Sequence, residues 1–434
     1  MRNLPWVWCL GLVVVMVLLV FVTYSIPTIR DRLSWRMDFS LAYIRSIFSP
    51  VDPLPSALPK HSSNSPTSDI GNPNLLITNS TATILPSTNL SNHQPTVPST
   101  IAPEITSTAQ PSATPLPKSV SLSSPEWEVQ DINNCGPASL TMYLRFYGWE
   151  GDQTTIADVI KPFREDRNVN VEELAYFVRN NAGWLNIQYR VGGDLKLLKQ
   201  FLAAGIPVMI EESFYFEEPF WINDDLWAAH YLLVTGYNEV SQTFIGQDSY
   251  RGSDQPVPYK ELDDYWQAFN RVYILIYLPQ QEQTVKEILG DNWDPDVNRQ
   301  NALEIAKAET QADSGNEFSW FNLGTNLTYF ERYIEATDAY DKARELGLPQ
   351  RMLRYQFGPF IAYFHTGQMD DLLTLTEYAL KVTPNAEEAH LWHGWMMYRN
   401  GKLSEAIADF QQALIENPTY LDAQYALDFA RGNP

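Results

Sequence analysis

An α+β domain carrying one thiol, followed by an all-α repeat array and preceded by a single apolar span, is the architecture that this chain of 434 residues predicts. Three observations predict it. Between about residues 126 and 278, helical patterns come first and strand patterns second, which is an α+β layout. From about residue 283 the chain repeats itself, with Gly367, Ala379 and Pro384 recurring as Gly401, Ala413 and Pro418 at an offset of 34. Residues 4–26 are almost continuously apolar and meet the length of about 20 residues that a membrane-spanning helix needs.

The apolar span is too long for the core of a signal peptide, and Val22-Thr23-Tyr24-Ser25 lacks a small-x-small cleavage site, so the expectation is an uncleaved anchor. Residues 27–49 place Arg30, Arg32, Arg36 and Arg45 beside Leu33, Met37, Leu41, Ile44 and Phe48 at helical spacing, a basic amphipathic segment suited to a membrane surface. Residues 50–124 are rich in Ser, Thr, Pro and Asn, with no apolar period, and are expected to be a disordered stalk. The flanking arginines favour a cytoplasmic location. The stalk composition and the sequons Asn79-Ser80-Thr81 and Asn89-Leu90-Ser91 favour the opposite side. The expectation is a single-pass membrane protein with its folded domains outside the cytoplasm.

Residues 125–280 form the first folded unit. Pro137 as the opening residue, then Ala138, Leu140, Met142, Leu144 and Phe146 in an unbroken run closed by Gly148, predict a buried central helix. Helices are expected over 154–160 and 171–181, and from Asp194 to Gly205. Strands are expected over 187–191, 206–210, 230–237, 244–248 and 272–277. Residues 211–229, with Glu211, Glu212, Phe214, Phe216, Trp221, Asp224, Asp225 and Trp227, read as an inserted loop, either an aromatic and acidic lip of a cleft or a surface loop packed on the domain.

Residues 283–434 carry the repeats. Trp320, Leu323, Gly324, Ala336, Tyr340 and Ala343 fall at tetratricopeptide spacing, and Gly394, Ala406, Phe410, Ala413 and Pro418 form a clear later copy. Gly367, Ala379 and Pro384 match Gly401, Ala413 and Pro418, giving a degenerate middle repeat. A tetratricopeptide solenoid of three repeats with capping helices follows, and repeats of this kind predict a protein partner.

The formal charge is −22, and the first 50 residues carry five Arg against two Asp, so the remainder is near −25. That surface excludes nucleic acid as an expected partner. Of the two cysteines, Cys9 lies in the apolar span, so no disulfide framework is expected and Cys135 is a lone thiol. His390 and His393 share a repeat helix without a visible third ligand, and no metal or other cofactor is expected.

Asn133-Asn134-Cys135-Gly136-Pro137 delivers Cys135 to a helix N-terminus, where unpaired N–H groups and the helix dipole favour a thiolate. His230 is the one histidine within 125–280, hence the single candidate base. In simple register about the 238–242 loop, residue 248 lies opposite 232, diagonal to 230 and on its face, so Asp248 is placed to orient the imidazole. The N–H of Cys135 and the side-chain amide of Gln130 are candidate oxyanion donors. Other readings stay open: a buried structural cysteine, a strand-end histidine bonded to backbone, and a turn-capping Asp248 with Asn238 as a weaker substitute.

Gln130, Asn134-Cys135-Gly136-Pro137-Ala138, Gly205-Ile206-Pro207-Val208, His230 with Tyr231-Leu232-Leu233-Val234, and Asp248 resemble the papain-like, bacteriocin-processing (double-glycine leader) peptidases and their stand-alone relatives. The resemblance implies Cys135 as nucleophile, His230 as base, Asp248 as orienting residue and Gln130 as oxyanion donor. The chain lacks the Gly-x-x-x-x-Gly-Lys-Ser/Thr phosphate loop of transporter-linked members, so no ATP or export role carries over. The functional expectation is a membrane-anchored cysteine peptidase acting on peptides or proteins. The alternative is a non-catalytic scaffold that captures peptides through the cleft and the repeats.

Overall fold

The computed structural model describes Ile44, Ile47, Phe48 and residues 50–59, 115–161, 169–218 and 223–432. The expected membrane helix at 4–26, nearly all of 27–49, and the stretch 60–114 of the expected stalk lie outside the described residues. Among the described residues no helix is long and apolar enough to cross a membrane.

The first unit is built on seven strands: β1 (Ser119–Ser121), β2 (Asn186–Arg190), β3 (Val208–Tyr215), β4 (Trp227–Asn238), β5 (Thr243–Asp248), β6 (Gly252–Pro258) and β7 (Tyr273–Tyr277). They run β2-β7-β3-β4-β5-β6, with β1 added to β4, and every pairing is antiparallel. Alternation sorts the apolar side chains onto two faces. Met209, Tyr231, Leu233, Ile274 and Ile276 pack under α1 (Cys135–Phe146), α2 (Gln153–Ile160) and α3 (Val171–Asn181). On the other face Val208, Ile210, Leu232, Val234, Leu275 and Tyr277 pack under α4 (Leu195–Ala203), α5 (Tyr259–Trp266) and α6 (Glu282–Leu289).

Local chemistry sets the helix ends. Asp152 and Asp194 accept from the N–H of Thr155 and Leu197. Asn170 and Glu173 form a reciprocal capping box on α3. Gly148, at φ +84°, turns α1 off: its N–H bonds Arg145 O and that of Trp149 bonds Leu144 O, a Schellman termination that needs a left-handed residue.

Four expectations are corrected. Pro137 is the third residue of α1, not its first, so Cys135 sits inside the opening turn. The expected inserted loop is strand at both ends, because β3 continues to Tyr215 and β4 begins at Trp227. Short and polar β1 and β6 carried no apolar period to reveal them, α5 was missed although Tyr259, Leu262 and Trp266 share one face, and β1 puts the start of the domain before residue 125. Residues 51–59, assigned to the stalk, lie against the repeats, with Val51 3% and Leu54 6% exposed.

The C-terminal region is helical throughout: α7 (Pro295–Ala312), α8 (Glu317–Tyr329), α9 (Tyr333–Leu346), α10 (Gly358–Thr366), α11 (Met369–Val382), α12 (Glu387–Arg399), α13 (Leu403–Glu416) and α14 (Leu421–Ala430). Gly324 and Gly394 mark the closest approaches within the helix pairs, since a Cβ there would lie 2.7 Å from Tyr340 and 2.5 Å from Phe410. The middle pair departs from the pattern for a physical reason. Its first helix is short, and the residues before it are spent on gripping the β3–β4 hairpin. Gln350 N–H donates to Asp225, Arg351 donates to Trp227 O at 2.6 Å, and the Arg351 guanidinium pairs with the buried Asp224 carboxylate. Trp227, Ala268, Phe269 and Val272 therefore share one apolar cluster with the repeats, Trp227 stacking on Phe269 at 5.7 Å and on Phe318 at 6.4 Å.

Candidate active site

Cys135 is fixed by the helix that begins with it. Ser139 Oγ donates to Tyr231 O at 2.8 Å, and Tyr143 OH bridges Pro207 O and the N–H of Ile276, so one face of α1 is tied to three strands. Gly136 permits the approach, because a Cβ there would sit 3.2 Å from Val169 and 3.3 Å from Tyr231. The preceding loop is clamped as well. Gln153 Oε1 accepts from Asp131 N and Asn134 Nδ2, both at 2.8 Å, while Lys161 Nζ donates to Asn133 O at 3.0 Å. These bonds hold Asn133 at φ +53°, a left-handed conformation that asparagine tolerates better than most residues.

His230 follows three residues after Trp227 on β4. Its Nε2 lies 3.0 Å from Asp248 Oδ1, with both residues buried. The same carboxylate oxygen accepts the N–H groups of Tyr250 at 2.8 Å and Arg251 at 3.0 Å. Nδ1 is then the ring nitrogen left free to serve the Cys135 thiol, which His230 stabilises in its ionised form. Phe214 covers the ring, with centroids 5.0 Å apart, and the Arg251 guanidinium stacks on Phe214 at 4.9 Å.

The face on which Asp248 falls depends on a β-bulge. At the hairpin end Asn238 pairs with Thr243, Tyr237 with Phe244 and Gly236 with Ile245. Continued without a break, that ladder would set Asp248 opposite Leu233, on the face away from His230. Thr235 is an extra residue, so Val234 pairs with Gly246 and Leu233 with Gln247, and the next step sets Asp248 opposite Leu232.

Gln130 stands beside this group through Ser249, whose N-terminal neighbour is Asp248. Gln130 N–H donates to Ser249 O at 2.9 Å, and Ser249 Oγ donates to Gln130 Oε1 at 2.8 Å. With its carbonyl engaged, the Gln130 amide presents its NH2 as donor. The N–H of Cys135, in the first turn of α1, has no intrahelical acceptor.

Burial pushes the Cys135 thiol up, but the bond to His230, the charge of that ring and the N–H groups of Tyr231 and Gly136 outweigh it and hold the thiol below its ordinary value. Burial pulls His230 down, and its bonds to Asp248 and Cys135 reverse this and raise it. Burial likewise opposes ionised Asp248, and His230 with the two N–H donors brings its carboxyl below the usual range. The three groups together favour a thiolate–imidazolium pair held by a carboxylate.

Two acids next to this group, Glu212 buried and Glu211 half-buried, escaped the sequence reading because they were assigned to a loop. Glu212 lies across from His230 on β3 and is 5% exposed, and its Oε2 has no hydrogen-bond partner. Burial raises its carboxyl to about 8, with the His230 charge acting in the opposite sense. Glu211, across from Tyr231, is raised to about 8 by burial and by the charge of Cys135. The β-prone aromatic run Phe214-Tyr215-Phe216 soon after Val208-Met209-Ile210 was the available signal that the strand continues. Trp227, the other half of the expected lip, is part of the interface with the repeats.

The layout of a central helix bearing cysteine against an antiparallel sheet bearing His and Asp defines a papain-like domain. Residues 118–274 match the sequence model of the Peptidase_C39 like family, and that segment is a C39-like peptidase domain fused to C-terminal helical repeats. Similar solved structures include a putative C39-like peptidase from Bacillus anthracis, with 17% identity, 37% of this chain and 98% of that chain covered, and a TM-score of 0.29. The peptidase domain of Streptococcus ComA, a bi-functional ABC transporter involved in quorum sensing, gives 13%, 36%, 99% and 0.28 in the same order. YrrB, a TPR protein with an unusual peptide-binding site, gives 20%, 35%, 84% and 0.27. No curated protein sequence matches significantly.

Proposed function

We propose that this chain is a cysteine peptidase that hydrolyses peptide bonds through Cys135, His230 and Asp248. One observation carries the reading: a buried His230 bonded to Asp248 on the sheet, within electrostatic reach of the Cys135 thiol at the head of α1. In the reaction, Cys135 Sγ attacks the substrate carbonyl carbon, and the oxyanion is received by the N–H of Cys135 and the Gln130 amide. The C–N bond breaks as His230 passes its proton to the departing amine, leaving an acyl thioester. Water then gives a proton to His230 and its oxygen to the acyl carbon. The carboxylic acid departs and the thiolate is regenerated. In this reading residues 4–26 anchor the enzyme in a membrane with the folded units outside the cytoplasm, and the repeats recruit a protein partner or substrate.

The test is alkylation of the full chain in a Cys9→Ser background by iodoacetamide, from acid to alkaline pH, with and without His230→Ala. Cys135 should react with an apparent pKa well below the ~8.5 of free cysteine and return toward that value in the variant. A thiol that is inert, or titrates as free cysteine in both proteins, defeats the peptidase reading and leaves a peptide-binding scaffold.

A further inference from the structure

Residues 51–59, Val-Asp-Pro-Leu-Pro-Ser-Ala-Leu-Pro, cross the inner face of the repeats in an extended conformation without regular secondary structure. Their contacts are those of a peptide read by a receptor. Tyr378 OH on α11 donates to Asp52 O at 2.7 Å, and Lys381 Nζ pairs with the Asp52 carboxylate at 3.0 Å. Arg344 on α9 donates from Nε to Pro55 O at 3.0 Å and from Nη2 to Ser56 O at 2.9 Å. Asp371 accepts the N–H of Leu58 at 3.1 Å. Val51 and Leu54, three residues apart, enter the apolar cluster of the repeats.

The chemistry of the two sides matches. A strand with prolines at 53, 55 and 59 lacks three N–H groups and presents mainly carbonyl acceptors. The face that meets it supplies mainly donors, and its central donor is preset: Arg344, 2% exposed, is held by Tyr363 OH at 2.8 Å and by Asp371 at 2.7 Å. An arginine placed this way, inside a helical array, has its remaining donors aimed at a backbone that belongs to no helix.

We propose that the face formed by α9, α10 and α11 is a binding site for an extended proline-rich strand, and that its resident ligand is this chain's own residues 51–59 held in cis. The folded unit is thereby fastened to the residues that follow the N-terminal apolar stretch. A competing partner must offer the same pattern, two apolar side chains three apart with prolines between and after them. The inference stands independently of whether Cys135 is catalytic.

The test is fluorescence anisotropy of a labelled synthetic peptide of residues 50–60 with the full chain. A tethered occupant acts at an effective concentration on the order of millimolar, so the wild type should exclude the peptide. Val51→Asp with Leu54→Asp, both on the strand and outside the helices, should free the site and tighten peptide binding at least about 10-fold. Adding Tyr378→Phe, which removes one hydroxyl and no packing, should weaken that binding again, with helicity by circular dichroism unchanged. The proposal is overturned if the freed variant fails to bind, or if wild type and variant bind alike. A concentration-dependent dimer of the wild type that the strand variant abolishes would overturn the cis assignment.

Discussion

Replacing Glu212 by glutamine should make the protein more stable, and increasingly so as pH rises. In the fold this carboxyl is buried across from His230, one of its oxygens has no partner, and burial raises it to about 8 against 4.5 for an unperturbed glutamate. Between those values the native protein keeps a proton that the unfolded chain has lost. Stability from this group is therefore lost as pH rises, at up to about 1.4 kcal/mol per pH unit. From about pH 5 to about pH 7.5 the loss is about 3 kcal/mol. Glutamine fills nearly the same volume and does not titrate. Urea unfolding followed by tryptophan fluorescence at the two pH values should show the variant gaining about 3 kcal/mol relative to wild type over that interval. A difference between the two proteins that is the same at both pH values would refute the reasoning, because it would mean that Glu212 ionises without cost next to His230.

Asp248→Asn should keep an acceptor for His230 while removing the charge. A charge-assisted bond is worth about 1.5–3 kcal/mol, so Cys135 alkylation near neutral pH should slow by about 10- to 100-fold, and an unchanged pH profile would exclude an orienting role. Gly136→Ala should slow the same alkylation without unfolding the protein, since the new methyl must displace Val169 and Tyr231 at 3.2–3.3 Å and shifts the first turn of α1. Arg351→Met should cost about 3–5 kcal/mol in urea unfolding by removing the cation that buried Asp224 faces. Asp224→Leu in the same chain should recover most of the loss, and its failure to do so would show that Arg351 acts through Trp227 O alone.

Much of the fold was legible because its signals are local. Residues 171–181 carry both an apolar stripe and a capping box, and that helix is found at those positions. The repeats were legible in Gly324 and Gly394, whose missing side chains admit Tyr340 and Phe410. What was not legible depends on partners distant in sequence. Glu211 and Glu212 look like solvent-facing residues until β4 is placed beside them. Residues 51–59 have the composition of an unfolded linker and acquire order from Arg344, nearly 290 residues away. The placement of Asp248 by simple register meets the structure only because the bulge at Thr235 restores the face; from the hairpin alone the count is off by one.

The shared cluster around Trp227 has a consequence for how this protein can be divided. A cut after the last strand, near residue 278, follows the boundary drawn by the family but not the one drawn by packing. It would bare Trp227, Ala268, Phe269 and Val272 along one side of the first unit, an apolar strip made to be covered. That strip includes the start of the strand that bears His230, so an excised fragment would be a poor stand-in for the whole chain: sticky, and loosened where its imidazole is held. The two units are neighbours along one chain that share one apolar cluster, and the seam between them runs through the interior.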